Sequence, residues 1–339
     1  MALWTDVIDP ASLTGYARES LSDQEARRGT LAQFLPNREV ADVAVRFVQG
    51  AFGLVEEAQF RAYDAEPEIG RPQHGKRVML ELPAIGQNIP VSEYQQLRTR
   101  GADDEAVRNA ILRTTDQVVR AVADRVERLR GTVLATGRAT IDQDNFKTDD
   151  DFGRSAGHDV TAADLWSASD VDRMAYLETL MDTYRETNGE DPGSLLMSTR
   201  VFRALASGDQ LRVQLVNGAS RPATAADVRA IVTGAGLPDI TLYDRRTSGG
   251  RVLPDDTLLL LPAPVGTDDW AGSQLGATFW GQTLTSTDAR YGIEASEQPG
   301  IVAGAYRNEK PPMIAEVISD AIALPVLANA NLSLAAKVL

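Results

Sequence analysis

Between Asp103 and about Thr136 the sequence carries one apolar stripe: Val107, Ile111, Val118, Val122, Val126, Leu129 and Val133. Asp103, Asp104 and Glu105 stand in its first turn, where the helix dipole favours negative charge. A helix of roughly 34 residues is about 50 Å long, far beyond the usual 8–20 residues. This length constrains the fold more than any other feature, because the rest of the chain must be hung on such a spine. The opposite face alternates in sign. Asp116 and Arg120, Arg120 and Asp124, and Asp124 and Arg128 all stand at i,i+4. Each such pair is worth only a few tenths of a kcal/mol.

Composition removes several classes of chemistry. The 339 residues include 34 Lys and Arg against 48 Asp and Glu, a formal net charge of −14, with two His and no Cys. Disulfides, thiolate nucleophiles, Cys-ligated zinc and iron–sulfur clusters are therefore excluded. An acidic chain with only four lysines, Lys76, Lys147, Lys310 and Lys337, lacks the clustered positive charge that phosphate contacts need. The best apolar run, Leu258 to Val265, is short and contains Pro262 and Pro264, so no membrane span is expected. The first residues lack the basic and apolar regions of a secretory signal.

Upstream of the spine, Asp9-Pro10 starts a helix that carries Leu13, Ala17 and Leu21 and ends near Arg28-Gly29. Val43, Val45 and Phe47 alternate, as do Phe60 and Ala62, and Val78, Leu80 and Leu82; these predict strands. Glu66 to Lys76, rich in Pro, Gly and charge, predicts the tip of a long hairpin. An isolated two-stranded ribbon is marginal in water, so such a hairpin needs something to lie against. A meander folded onto its own domain fits the pattern equally well.

Downstream, Asp142 to Asp151 reads as a solvated acidic loop and Asp170 to Asn188 as a helix. Leu195 to Met197 reads as a strand, followed by a short helix capped by Ser198. Thr224 and Asp227 have the capping-box spacing ahead of Val228, Ile231 and Val232. Strands then dominate: Ile240 to Tyr243, Thr257 to Leu261, Ala277 to Leu284, Ile301 to Tyr306 and Ile314 to Ile318. In the apolar stretch from Ala321 to Leu339, Pro325, Asn329, Asn331 and Lys337 predict a break into short buried strands.

The search for catalytic chemistry is empty. His74 and His158 lack ligand spacing, and there is no phosphate-binding Gly-Lys-Ser/Thr. Gly234-Ala235-Gly236 reads as a helix end, and Asp151-Phe152-Gly153 as a chance match to a kinase tripeptide. No catalytic, cofactor-binding or metal-binding residue is assigned, and no cofactor is expected. Aromatics are more informative: Trp4, Phe52, Phe60, Tyr63 and Tyr94 fall in the N-terminal arm and hairpin, outside the expected globular body. Trp and Tyr are typical interface anchors. The assembly-interface candidates are Trp4, Phe60, Arg61, Tyr63, Lys76, Arg77 and Tyr94 on the arm and hairpin, with Arg108, Asp116, Arg120 and Asp124 on the spine.

Strings spread over nearly the whole chain resemble phage capsid proteins: DPASLTGYARE, FLPNREVADVAVRF, FRAYDAEPEIG, LPAIGQNIPVSEYQQLR, DEAVRNAI, LPDDTLLLLPAP, ATFWG, QPGIVAGAY and LPVLANANLSLAAKVL. In their order the chain resembles the major capsid proteins of tailed bacteriophages, of the lambda-type family with the Hong Kong 97-type shell fold, and in look those of actinobacteriophages. The resemblance implies an α+β fold with an N-terminal arm at 1–38 and an extended β-hairpin loop at 39–96. The long spine helix would lie in a peripheral domain at 97–189 and 313–339, with an axial domain at 190–312. It implies a non-enzymatic structural protein, self-assembling as pentamers and hexamers of an icosahedral shell around packaged double-stranded DNA, held without specific binding and without a membrane. Implied partners are a separately encoded scaffold protein, a portal protein and a decoration protein at three-fold positions. The implied location is the virion capsid, assembled in the bacterial host cytoplasm. Lys76 is the one cross-link candidate at the loop tip. An acidic wall would repel DNA phosphates and let the genome slide. Isolated subunits are expected to have a disordered arm and a mobile loop. Two alternatives stay open, an encapsulin-like nanocompartment shell and a carboxylate-based soluble α/β enzyme.

Overall fold

The computed structural model describes residues 2–27, 30–49, 76–98, 104–143, 146–168, 170–208, 211 and 223–339. The spine, α3 (Asp104–Thr136), runs for 33 residues. Its apolar stripe divides between two cores. Ile111, Val118, Val119, Val122, Ala123 and Val126 enter one; Leu129, Val133 and Leu134 enter the other. The helix stops at Gly137, whose φ of +67° suits glycine and whose N–H donates to the Val133 carbonyl at 2.8 Å. Gly131 is set by packing, since a Cβ there would overlap the carbonyl of Val252.

The first sheet contains β1 (Ala2–Leu3), β2 (Asn37–Glu39), β5 (Ala84–Val91), β14 (Gly276–Gly281), β15 (Val302–Arg307) and β16 (Ala315–Leu327). The order is β1-β15-β16-β14-β2, with β5 also paired to β16. All pairs are antiparallel except β14 with β2. The expected break at Pro325 does not occur: β16 runs unbroken for 13 residues. Register explains why. Pro325 lies opposite Thr278, whose N–H turns away to the Pro36 carbonyl at 2.8 Å. That pair exchanges no hydrogen bonds, so the missing proline N–H costs the ladder nothing.

α1 (Pro10–Arg27) starts as expected, with the Asp9 carboxylate accepting from the Ser12 N–H at 3.0 Å. The arm is not a free extension, however. Leu13, Ala17 and Leu21 are buried against the Val118–Val126 stretch of α3, and the Thr14 hydroxyl donates to the Ala303 carbonyl at 3.2 Å. A four-residue apolar repeat on α1 supplied a face that α3 and β15 could cover, which the expectation of a disordered arm overlooked.

The second sheet has the order β10 (Asp239–Leu242), β9 (Ser194–Met197), β13 (Thr257–Leu261), β17 (Leu334–Lys337), β8 (Asp159–Thr161). β9 is buried throughout and β13 nearly so, which is why Leu258 to Leu261 is a continuous apolar run without alternation. α4 (Arg173–Asn188), α5 (Thr199–Ala206) and α6 (Ala225–Gly234) share its core through Leu177, Met181, Phe202, Leu205, Val228 and Val232. The caps at Ser198 and Thr224 form as the spacing predicts, the latter with both halves of its capping box. Sheet membership follows a different division from the cut expected at 312/313: β14 and β15 pair with β16, while β17 sits between β13 and β8. Hydrophobic periodicity finds strands but does not name their partners.

Three local expectations differ from the structure. Asp142 to Asp151 is not an open loop: β6 (Arg138–Gln143) and β7 (Phe146–Asp151) form a hairpin. Ala139 and Ile141 bury one side of it, and Arg138 pairs with Asp149 at 2.8 Å. The strand expected to reach Leu284 ends at Gly281, and Thr283 caps the short helix α7 (Leu284–Thr287). The hairpin stem is β3 (Ala44–Gln49) with β4 (Lys76–Glu81), but β5, its continuation, belongs to the first sheet. Lys76 stands opposite Gln49 at the end of the described stem; the rest of the tip expected from Glu66 and the strand expected around Phe60 lie outside the described residues.

Between the cores lies a polar knot. Arg130 is only 1% exposed. Its guanidinium reaches Glu25 at 2.6 Å, Glu127 at 3.3 Å, the Asn37 side-chain oxygen at 2.6 Å and the Thr278 hydroxyl at 2.8 Å. Glu127 also accepts from the Leu31 N–H at 2.8 Å and the Tyr243 hydroxyl at 2.5 Å. Breaking a buried ion network from one side leaves unpaired charge and costs about 3–5 kcal/mol. Arg130→Met is expected to lower urea-unfolding stability by that amount. Adding Glu25→Gln and Glu127→Gln should recover more than half of it. An unchanged unfolding midpoint in Arg130→Met would contradict this role.

His158 is fully buried with its ring stacked on Tyr184, centroids 6.0 Å apart. Burial pushes its pKa down. The unfolded chain, with a His pKa of about 6.5, therefore takes the proton first as pH falls. Stability is full above about pH 6.5 and declines below it. Thermal melts of wild type and His158→Phe should diverge in slope between about pH 6.5 and 5, the wild type falling faster; parallel slopes would contradict the assignment.

Candidate assembly surfaces

Among the described residues, most of the large apolar side chains that the two cores leave out lie on slender elements, with Leu165 and Leu242 less exposed elsewhere. On the β3–β4 stem, Val45 and Leu80 face the core, while Met79 is 59% exposed and Val43, just ahead of β3, is 55% exposed. Tyr94, on α2 (Glu93–Arg98), is 70% exposed, and Leu284, the first residue of α7, is 90% exposed. Phe146 projects from the β6–β7 hairpin. Fully burying one such side chain is worth about 1.5–3 kcal/mol. Exposed together on thin elements, they are surface that a second chain can cover. Trp270 is different: although half-exposed, its ring lies under the Arg38 guanidinium at 4.0 Å.

The residues singled out from sequence are scattered by the fold. Trp4 is half-buried, its backbone N–H donating to the Ala305 carbonyl at 2.8 Å and its ring 5.0 Å from the Arg307 guanidinium. It therefore packs on the body, contrary to its expected place outside it. Arg77, Tyr94, Arg108 and Arg120 are exposed. Asp116 accepts from the Tyr16 hydroxyl at 3.0 Å and the Ser20 hydroxyl at 2.8 Å, and Asp124 pairs with Arg245 at 2.8 Å. Both carboxylates thus tie the subunit together internally. Phe60, Arg61 and Tyr63 lie outside the described residues. Val43, Met79, Phe146 and Leu284 were not anticipated. For Met79 the signal was present, because it puts an apolar side chain on the polar face of the alternating run Val78, Leu80, Leu82.

The shifted titratable groups serve packing. Burial pushes the Tyr184, Tyr243 and Tyr291 hydroxyls far up. Tyr243 donates to Glu127, and the Tyr291 and Tyr306 hydroxyls hydrogen-bond to each other at 2.6 Å. Desolvation raises the Glu39 carboxyl, which the charge of nearby Arg18 opposes. On the surface, Arg290 holds the Asp288 carboxyl down at about 2. Among the described residues no group of three His, Cys, Asp or Glu is placed to hold a metal ion, and no described helix is long and apolar enough to cross a membrane.

This architecture is similar to that of solved phage proteins. The family described as phage major capsid protein E matches residues 12–273. No match was found among curated proteins. The structure of a protein described as a prophage capsid protein of E. coli CFT073 superposes with a TM-score of 0.62 at 14% identity, covering 98% of this chain and 99% of that one. A phage-related protein from Bordetella bronchiseptica RB50 superposes with a TM-score of 0.59 at 15% identity, covering 99% and 97%. A chain with this spine, these two sheets and this family match belongs to the phage major capsid protein E family: it is a shell-forming capsid protein with the Hong Kong 97-type fold.

Proposed function

We propose that copies of this chain close as pentamers and hexamers into an icosahedral shell around packaged double-stranded DNA, and that the subunit does no catalysis. The observation that carries this reading is the set of exposed apolar side chains on the β3–β4 stem, α2 and α7, outside two otherwise closed cores. Contacts between subunits would bury them; obligate interfaces commonly bury about 2,000–5,000 Å². In this reading α3 with the first sheet forms the peripheral domain, and the second sheet with α4, α5 and α6 forms the axial domain. Residues 39–83 make the extended loop, with Phe60, Arg61 and Tyr63 as its contact residues. The net charge of −14 supports a wall that repels the genome and lets it move during packaging. Assembly in the host cytoplasm would be guided by a separately encoded scaffold and portal, with a decoration protein reinforcing three-fold positions.

Met79→Asp combined with Leu284→Asp is expected to abolish particle formation in sedimentation assays. Subunit stability should change by no more than about 0.5 kcal/mol, since neither side chain is in a core. Particles at wild-type yield from that double variant would remove these residues from the contact surface.

A further inference from the structure

The i,i+4 ladder expected along α3 does not form, and its failure leaves a local concentration of positive charge. Asp116 is taken by Tyr16 and Ser20, and Asp124 by Arg245. Arg120 and Arg128 thereby lose the carboxylates that the helix places next to them. Together with Arg125 they form no ion pair with any described residue. All three line a cleft of about 480 Å³ between α3, β5 and the turn that joins β11 (Arg246–Thr247) to β12 (Gly250–Arg251). Arg125 and Arg128 are half-buried there, and burial together with the charge of Arg128 lowers the pKa of Arg125. Adjacent, partly desolvated like charges without a counterion are costly, and in a chain this acidic such an arrangement calls for an anion from outside.

We propose that this cleft binds phosphate groups. Its wall offers three guanidinium groups, the side-chain amides of Gln87 and Gln117, and the hydroxyls of Thr247 and Ser248. The one carboxylate in the wall, Asp124, is neutralised by Arg245. Donors arrive from three separate elements, α3, β5 and the β11–β12 turn. That arrangement suits a tetrahedral, multiply charged oxyanion better than a flat carboxylate, and guanidinium forks bind phosphate oxygens in pairs. The Arg128 guanidinium lies directly against Gly249 of the turn, which brings the helix and the turn together in one cleft. The phosphate can come from a free polyphosphate or from a nucleic-acid backbone. In the second case the mostly repulsive wall carries one adhesive point per subunit. The proposal is argued from the cleft alone and does not rest on shell closure.

The test uses the full-length protein, with inorganic tripolyphosphate, a short labelled DNA duplex of mixed sequence, and polyglutamate as probes. Tripolyphosphate and duplex are expected to bind and to compete with one another. Arg120→Gln, Arg125→Gln and Arg128→Gln together should weaken duplex binding by more than about tenfold and flatten its log–log salt slope by about 3. Arg200→Gln, an exposed arginine elsewhere, should leave it unchanged. Should the triple variant misfold by circular dichroism, exposed Arg120→Gln alone should still lower the slope by about 1. Tripolyphosphate binding without duplex binding assigns the site to free phosphates, and binding of both assigns it to the nucleic-acid backbone. Undiminished duplex binding by the folded variants, or polyglutamate binding as tightly as either phosphate probe, would overturn the proposal. The latter would assign an acidic protein segment instead. Loss of phosphate binding with intact particles, or the reverse, separates this proposal from the shell reading.

Discussion

The guanidinium of Arg130, cut off from water, is tied to Glu25, Glu127, Asn37 and Thr278. These partners come from α1, α3, β2 and β14, so one side chain fixes the arm, the spine and the first sheet in a single relationship. Trp280 adds its indole N–H to the same Asn37 oxygen at 2.8 Å, and Tyr243, just past β10 of the second sheet, reaches Glu127. The knot is costly in isolation, because taking charges out of water is repaid only when geometry and hydrogen bonding are nearly complete. Here they are: the donors find acceptors, and the charges are opposed. The two cores on either side pack without directional bonds, and the knot adds directional bonds between the elements that border them.

That arrangement makes the subunit a rigid tile with slender margins. α3 passes through both cores, so a displacement at one end is felt at the other. The stem of β3 and β4, helix α2 and helix α7 carry apolar side chains that neither core takes in. A body that closes its interior while leaving such residues on its margins is stable as a folded chain yet unsatisfied as a surface, which is the condition for assembly. The acidic balance of the whole chain, broken locally by three arginines on α3, gives the tile an electrostatic pattern as well as a shape.

Much of this was legible in the residues. The spine, the capped helices after Ser198 and Thr224, and the buried run Leu258 to Leu261 follow from periodicity and capping chemistry, which act within a few residues. What was not legible depends on partners remote in sequence. Pro325 reads as a strand breaker until Thr278 is known to face the other way. Asp142 to Asp151 reads as a loop until Arg138 and the buried Ala139 and Ile141 are seen across the hairpin. Asp116 and Asp124 read as members of an intrahelical ladder until Tyr16, Ser20 and Arg245 claim them. The candidate contact residues fared similarly: Tyr94 is exposed as the aromatic pattern suggested, Trp4 is folded onto the body, and Leu284 carried no sequence signal because an exposed leucine and a buried one are written alike.

The central claim, that this chain is the building unit of a closed shell, is tested most directly by electron microscopy of the full-length protein expressed alone and together with the neighbouring genes of its locus. The account predicts uniform polyhedral particles whose subunits show α3 laid along the first sheet, with the β3–β4 stem, α2 and α7 in contact with adjacent copies. Small discrete oligomers under both conditions, with those surfaces still open to solvent, would contradict it.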